Sequence, residues 1–223
     1  MVQQTFYLNS SGTLSAIGEN PKTFASYISD PNKPVLSSEN YKDMNGFTPR
    51  NYMSEDQRFA SYRPDVVTFT TDILENDMTL AGEIISKLTI VSSSSDADFI
   101  VKLIDIYPAD EKSNADKPNV VYANYHQMVR SEIMPARFRN SFEKPEPLIP
   151  NKSATVDVKL QDVFHTFKKG HKIQIQVQST WFPLMAINPQ KFLENPYKAT
   201  KDDYEKAEIR ISSGSTIAFD VLK

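Results

Sequence analysis

The stretch His171 to Ser179, HKIQIQVQS, constrains the fold more than any other part of the chain. Ile173, Ile175 and Val177 alternate with Lys172, Gln174, Gln176 and Gln178. A period of two places one set on each side of a strand, so this segment reads as a half-buried strand with one wet face. Ser215 to Leu222 repeats the pattern with Ile217, Phe219 and Val221 on one side. Thr79 to Val91 and Asp98 to Tyr107 are longer and apolar on both faces, as central strands of a two-layer core would be. Val66 to Thr70, Val120 to Val129, Ala154 to Leu160 and Thr5 to Leu8 complete the main set.

Turn residues separate these strands at Ser92 to Ser95, Pro108 to Pro118, Glu143 to Asn151 and Lys168 to Gly170. Strands at this spacing indicate an all-β sandwich or jelly roll. Thr200 to Lys206 could form a helix capped by Thr200, but Glu208 to Ile211 reads better as a strand pairing with the last one through Ser212, Ser213 and Gly214. Two long segments, Pro31 to Arg63 and Ala186 to Ala207, do not read as sandwich strands. Loops of that length in a compact domain are usually functional or interface-forming, and their aromatic content argues against disorder. No linker divides the 223 residues into two cores, so we expect one domain: 1–65 as a lead-in strand and long aromatic loop, 66–223 as the sandwich core.

Glycine spacing excludes whole classes of function. The six glycines stand at 12, 18, 46, 82, 170 and 214, with no pair closer than six residues. A nucleophile elbow, a P-loop and a dinucleotide fingerprint all need closer glycines, so no nucleotide cofactor motif and no G-x-S-x-G motif can be built. The absence of cysteine removes disulfides, thiolate zinc sites and cysteine nucleophiles. A net charge of −3 argues against nucleic acid or an anionic membrane as the main partner. The longest apolar run, Trp181 to Ile187, is too short to span a bilayer, and the N-terminus lacks the apolar run of a signal peptide. The chain therefore reads as soluble, or as a soluble piece of something larger, with its compartment unspecified.

The remaining chemistry is sparse. His165 and His171 flank one turn and a hairpin could unite them, but no third ligand is adjacent in sequence; hydrogen-bonded or solvated strand-end histidines are expected rather than a metal site. His126 falls inside an expected strand. Asp96 and Asp98 open a strand after a serine run, where turn capping is the expected role; Asp202 and Asp203 form a second pair. No serine is marked as a nucleophile by an elbow or an oxyanion-hole glycine pair. Aromatics are the last candidates: Tyr41, Phe47, Tyr52, Phe59 and Tyr62 crowd one loop, and Trp181-Phe182-Pro183 ends the cleanest strand. They suit packing against a neighbouring domain or, alternatively, the platform of a carbohydrate-binding module.

Several stretches resemble the C-terminal domain of the X-Pro dipeptidyl-peptidase, cocaine esterase and α-amino acid ester hydrolase (glutaryl acylase) family. They are EDQRFASYRPDVVTFTT (Glu55 to Thr71), SSSSDADFIVKLIDIYP (Ser92 to Pro108) and FRNSFEKPEPLIP (Phe138 to Pro150). FKKGHKIQIQVQSTWFPL (Phe167 to Leu184), NPQ at Asn188 to Gln190 and the closing strand follow in the family's order. The resemblance implies a jelly roll of the galactose-binding-like type, appended to an α/β-hydrolase domain of the same polypeptide. In that family the catalytic Ser, Asp and His lie in the hydrolase domain, so the resemblance transfers no catalytic residue and no cofactor. It implies that the domain packs on the catalytic domain and that a loop near its start walls the acyl pocket. Tyr41, Phe47 and Tyr52 are the expected lining residues, with Trp181 and Phe182 as further pocket or interface candidates. The loop Ala186 to Ala207 could serve oligomerisation of a parent enzyme. One departure stands out: relatives often carry Asp-Arg where this chain has Ala186-Ile187 before Asn188, and a charged contact is expected to be lost there.

Overall fold

The computed structural model describes residues 1–39, 50–116 and 119–222. Eleven strands among them form two antiparallel sheets. The larger sheet runs β2 (Leu14–Ser15), β1 (Val2–Leu8), β11 (Thr216–Val221), β5 (Met78–Ser92), β10 (Ala207–Ser212), β3 (Phe24–Ser29), with β8 (Ser153–Phe167) on the other side of β5. The smaller sheet runs β4 (Val67–Thr70), β9 (Lys172–Gln178), β6 (Asp98–Ile106), β7 (His126–Pro135). The protein is a β-sandwich, as the strand pattern predicts.

The inner faces make the core. Leu80, Ile84, Leu88, Val156, Val158, Leu160, Ile209, Ile217 and Phe219 of the larger sheet meet Phe69, Phe99, Val101, Leu103, Ile173, Ile175 and Val177 of the smaller one. Burying each such side chain contributes about 1.5–3 kcal/mol, which fixes the register of every strand that carries the alternation.

Three expectations need correction. β9 has no wet face: Gln174, Gln176 and Gln178 are all buried. The segment that carries α1 (Arg58–Ser61), a single helical turn, lies over this outer face, and its Ser61 hydroxyl partners Gln174 and Gln176. β5 shows the reverse, since Glu83 and Lys87 on its outer face are exposed; of the two strands expected to be central, β6 alone is buried on both sides, as β9 also proves to be.

The second correction concerns the chain's end. β10 and β11 do not pair with each other; both lie along the same side of β5, from Ile209↔Ser92 to Val221↔Leu80. The Ser212–Ser215 stretch is a kink in one long path rather than a hairpin turn. Its hydroxyls replace the missing ladder bonds: Ser215 Oγ accepts from Thr89 N, Ser213 Oγ from Ser10 N, and Ser212 Oγ from Gly214 N. Third, the strand expected over Val120 to Val129 begins only at His126 and runs on to Pro135. The Thr200 region forms a single 3-10 turn, Lys201–Asp203, closed by a reciprocal Thr200–Asp203 capping box.

Gly82 marks a bulge in the β5–β8 ladder at φ +125°, where a Cβ would also sit 3.2 Å from Asp220 Oδ2. The bulge carries Gln161 and Asp162 of β8 toward β7, where Arg130 Nε donates to Asp162 O at 3.0 Å.

Candidate functional site

Trp181, Phe182 and Tyr52 converge on the outer face of the smaller sheet. Phe182 N donates to Val35 O at 2.9 Å and Ser37 N to Phe182 O at 2.7 Å, so the chain entering the aromatic loop is strapped to Phe182. Val35 N also bonds Thr180 Oγ1 at 2.8 Å. At the loop's other end Tyr52 meets Trp181 edge-on, with centroids 5.7 Å apart and planes at 79°. Both stems of the aromatic loop thus rest on Trp181 and Phe182. Tyr41 and Phe47 lie outside the described residues. Phe59 packs with Val35, Ala60 and Val66 in a small satellite core, whereas Tyr62 is exposed. Trp181 is only 4% exposed, which removes it as a stacking platform for a sugar ring.

Beneath Trp181 lies a group that sequence reasoning passed over. Lys102 is fully buried; its Nζ donates to Gln57 Oε1 at 3.1 Å and sits 4.8 Å from the Trp181 ring centroid. Burial pulls its pKa down to about 7 against the opposing pull of Glu55. A single lysine among the apolar residues of FIVKLID was the available signal. Around it Gln176 Nε2 donates to Ser61 Oγ at 2.7 Å and to Gln174 Oε1 at 3.2 Å, while Gln178 Nε2 donates to Thr180 O at 2.7 Å. Ser61 Oγ also contacts His126 Nδ1 at 3.0 Å, and burial lowers the His126 pKa to about 4. Gln176 Oε1, Gln178 Oε1, Glu55 Oε2 and Trp181 Nε1 are buried without a hydrogen-bond partner among the described residues. This is a polar floor under the loop stems.

Next to it opens a cavity of about 480 Å³, lined by Tyr52, Met53 and Trp181 on one side and by Phe164, His165 and the β7 edge on the other. Phe164 projects there at 76% exposure, an apolar side chain with no cover of its own.

The histidines of the turn do meet, across a carboxylate. His165 Nε2 lies 2.9 Å from Asp105 Oδ2 and His171 Nδ1 lies 2.7 Å from Asp105 Oδ1. Asp105 ties two elements at one end of the sandwich, and no group of three or more potential ligands among the described residues is placed to hold a metal.

Asp96 is not primarily a turn cap. Its Oδ2 accepts from Arg137 Nε at 2.9 Å and from a terminal nitrogen at 2.5 Å, with both residues buried. Its other oxygen accepts from Ala97 N at 3.0 Å. Arg137 stands far along the sequence, so no local pattern could announce the pair. Among the described residues Asp98, two residues on, takes only Asn188 Nδ2, at 2.8 Å. It faces a second cavity, of about 340 Å³, walled in part by Ala186 and Ile187.

Antiparallel strands in two stacked sheets, with loops tied over one outer face, define an antiparallel β-sandwich domain. The chain belongs to the family described as the X-Pro dipeptidyl-peptidase C-terminal non-catalytic domain, which matches residues 2–216. It is similar to a cocaine esterase of Rhodococcus sp. (strain MB1 Bresler), 27% identical over 176 residues, covering 77% of this chain and 27% of that protein. Among solved structures it is similar to an aminopeptidase from the marine sediment archaeon Thaumarchaeota archaeon, at a TM-score of 0.91 and 32% identity, covering 100% of this chain and 37% of that one. An α-amino acid ester hydrolase matches at 0.88 and 35% identity, covering 99% and 36%. The chain thus spans little more than a third of these solved relatives' length. No helix among the described residues is long and apolar enough to cross a membrane.

Proposed function

We propose that the chain is a single accessory domain of a serine hydrolase that cleaves esters or amides with small acyl groups. It packs on an α/β-hydrolase domain of the same polypeptide, and its aromatic loop walls the acyl pocket of that partner. The observation that carries this reading is the convergence of both loop stems, at Val35–Ser37 and Tyr52, on Trp181 and Phe182. A pocket wall requires stems that are held in place. The exposed apolar side chains of Phe164 and Met53 beside the stems support a neighbouring domain there.

The test uses the longer polypeptide that joins this chain to its hydrolase domain, assayed with a series of α-amino acid esters of graded acyl size. Tyr41→Ala and Phe47→Ala should each change KM between small and bulky acyl groups by about three- to tenfold, a contact-sized effect, while kcat for the smallest ester holds. Uniform loss across the series, or no change, defeats the pocket-wall role. Serine-reagent-sensitive turnover by the 223-residue chain alone defeats the accessory role.

A further inference from the structure

The loop between β9 and β10 builds a cavity that the acyl-pocket reading does not use. Its floor is the start of β6 and the end of β7, at Asp98, Pro135 and Arg137. Its walls are Met185, Ile187 and Pro189 on one side and Pro196 and Ala199 on the other, with Tyr197 and Tyr204 at the covering loop. The loop is pinned in place: Gln190 Nε2 donates to Ser29 O and Glu205 O, and Asn195 Oδ1 accepts from Tyr197 N to cap a short turn. Phe192 N donates to Ser95 Oγ at 2.9 Å. The cavity is therefore formed by anchored backbone rather than by a loose flap, and its volume of about 340 Å³ lies in the range of small-ligand pockets.

Its hydrogen bonding is unbalanced. The Arg137 guanidinium is committed, through Nε and one terminal nitrogen to Asp96 and through the other to Leu193 O. Asp98 is left with one donor, the neutral Asn188 carboxamide on Oδ1, and Oδ2 accepts none among the described residues. Asp98 is the one carboxylate lining the cavity, beside a guanidinium already taken by Asp96, and most of the remaining lining is apolar. A cation brought to such a half-buried carboxylate is stabilised more than at an open surface.

We propose that this cavity is a binding site for a small primary amine on an apolar stem or ring, with Asp98 as the counter-ion of the ammonium and Asn188 holding the carboxylate in orientation. The Pro135, Met185, Ile187 and Pro196 side chains take the apolar part. The empty site keeps its proton into the neutral range, because burial pushes the Asp98 pKa up to about 7, with Asp96 adding to the rise and Asn188 and Arg137 opposing it. An ammonium ligand displaces that proton, so affinity should climb as pH rises from 5 to about 8. Arg137, Tyr197 and Tyr204 are the other titratable groups lining the cavity, and Asp96 acts on Asp98 from outside the lining. This site is separate from the aromatic loop and does not depend on the acyl-pocket reading.

Benzylamine and its neutral isostere benzyl alcohol are the probes. Calorimetry at pH 8, with two-dimensional NMR of the Asn188 side-chain amide and the Tyr197 backbone amide, should find saturable benzylamine binding at those signals. The amine should be preferred over the alcohol by about tenfold or more, as a desolvated charge pair demands. Asp98→Asn should abolish the preference, and Ile187→Arg, which supplies an internal cation from the cavity wall, should abolish amine binding. Equal affinity for both probes, shifts confined to other residues, or no saturable binding would each overturn the proposal. These three outcomes are read on the unmodified chain, so they stand even if a variant misfolds.

Discussion

Lys102 points its amine at the face of Trp181, 4.8 Å from the ring centroid, from the middle of a strand buried on both sides. The folded chain holds this amine at a pKa of about 7, whereas in the unfolded chain it returns to 10.5. Between those values the unfolded state binds more protons, so this group makes stability rise with pH from about 7 to 10.5. Lys102→Met removes the penalty at and below neutral pH, and we expect it to stabilise the chain there by roughly 2–5 kcal/mol. Chemical denaturation from pH 6 to 10 checks this. A wild-type profile that does not rise relative to the variant would show that Lys102 stays protonated in the fold.

Asp98 and His126 act in opposite directions on the acid side. The Asp98 pKa is raised from 3.8 to about 7, so its contribution falls as pH rises through that window. The His126 pKa is lowered from 6.5 to about 4, so its contribution rises across an overlapping window. The two should largely cancel in the wild type between pH 4 and 6.5. Asp98→Asn should unmask a rise and His126→Gln a fall when denaturation midpoints are followed over that range. Parallel profiles for all three proteins would refute both assignments.

The buried pair of Asp96 and Arg137 should be costly to break from one side. Arg137→Ala leaves Asp96 without its guanidinium partner, and the expected loss is about 3–5 kcal/mol. Asp96→Ala combined with Arg137→Ala should lose clearly less than the sum of the two single changes, because neither charge is then stranded. Additive losses in a double-mutant cycle would mean that the two side chains act independently.

The inner faces were legible because a period of two reports burial directly: Ile173, Ile175 and Val177 point into the core as their spacing requires. The outer face of the same strand was not. Gln174, Gln176 and Gln178 look like solvent-facing residues until the partners of Gln174 and Gln176, Thr70 and Ser61, are supplied from far along the chain. Glutamine is satisfied equally by water or by a covering segment, so its sequence position carries no information about which it meets. The same holds for Arg137, an ordinary surface cation in sequence and a buried partner of Asp96 in the fold. The hydroxyl-rich Ser212–Ser215 stretch reads as a turn because serine favours both a hairpin and a kink; the neighbouring β5, long enough to pair with β10 and β11 in succession, decides for the kink.

Gln176 offers the sharpest probe of how the cover is held. Its amide nitrogen reaches Ser61 Oγ in α1 at 2.7 Å and Gln174 Oε1 at 3.2 Å. Gln176→Leu keeps the bulk yet strips both bonds, leaving Ser61 with Gln57 O, Gln174 Oε1 and His126 Nδ1. The expected cost is about 1–3 kcal/mol, concentrated in the cover rather than the sandwich. Hydrogen exchange should accelerate at Ala60, Ser61 and Tyr62, whose amides bond within their own short turn, while the β6–β9 ladder keeps its protection. If the ladder amides exchange faster together with those of α1, cover and sandwich unfold as one unit. The Trp181–Phe182 anchor, bonded to Val35 and Ser37 and not to α1, should hold in the variant, leaving that stem of the aromatic loop in place while its floor loosens.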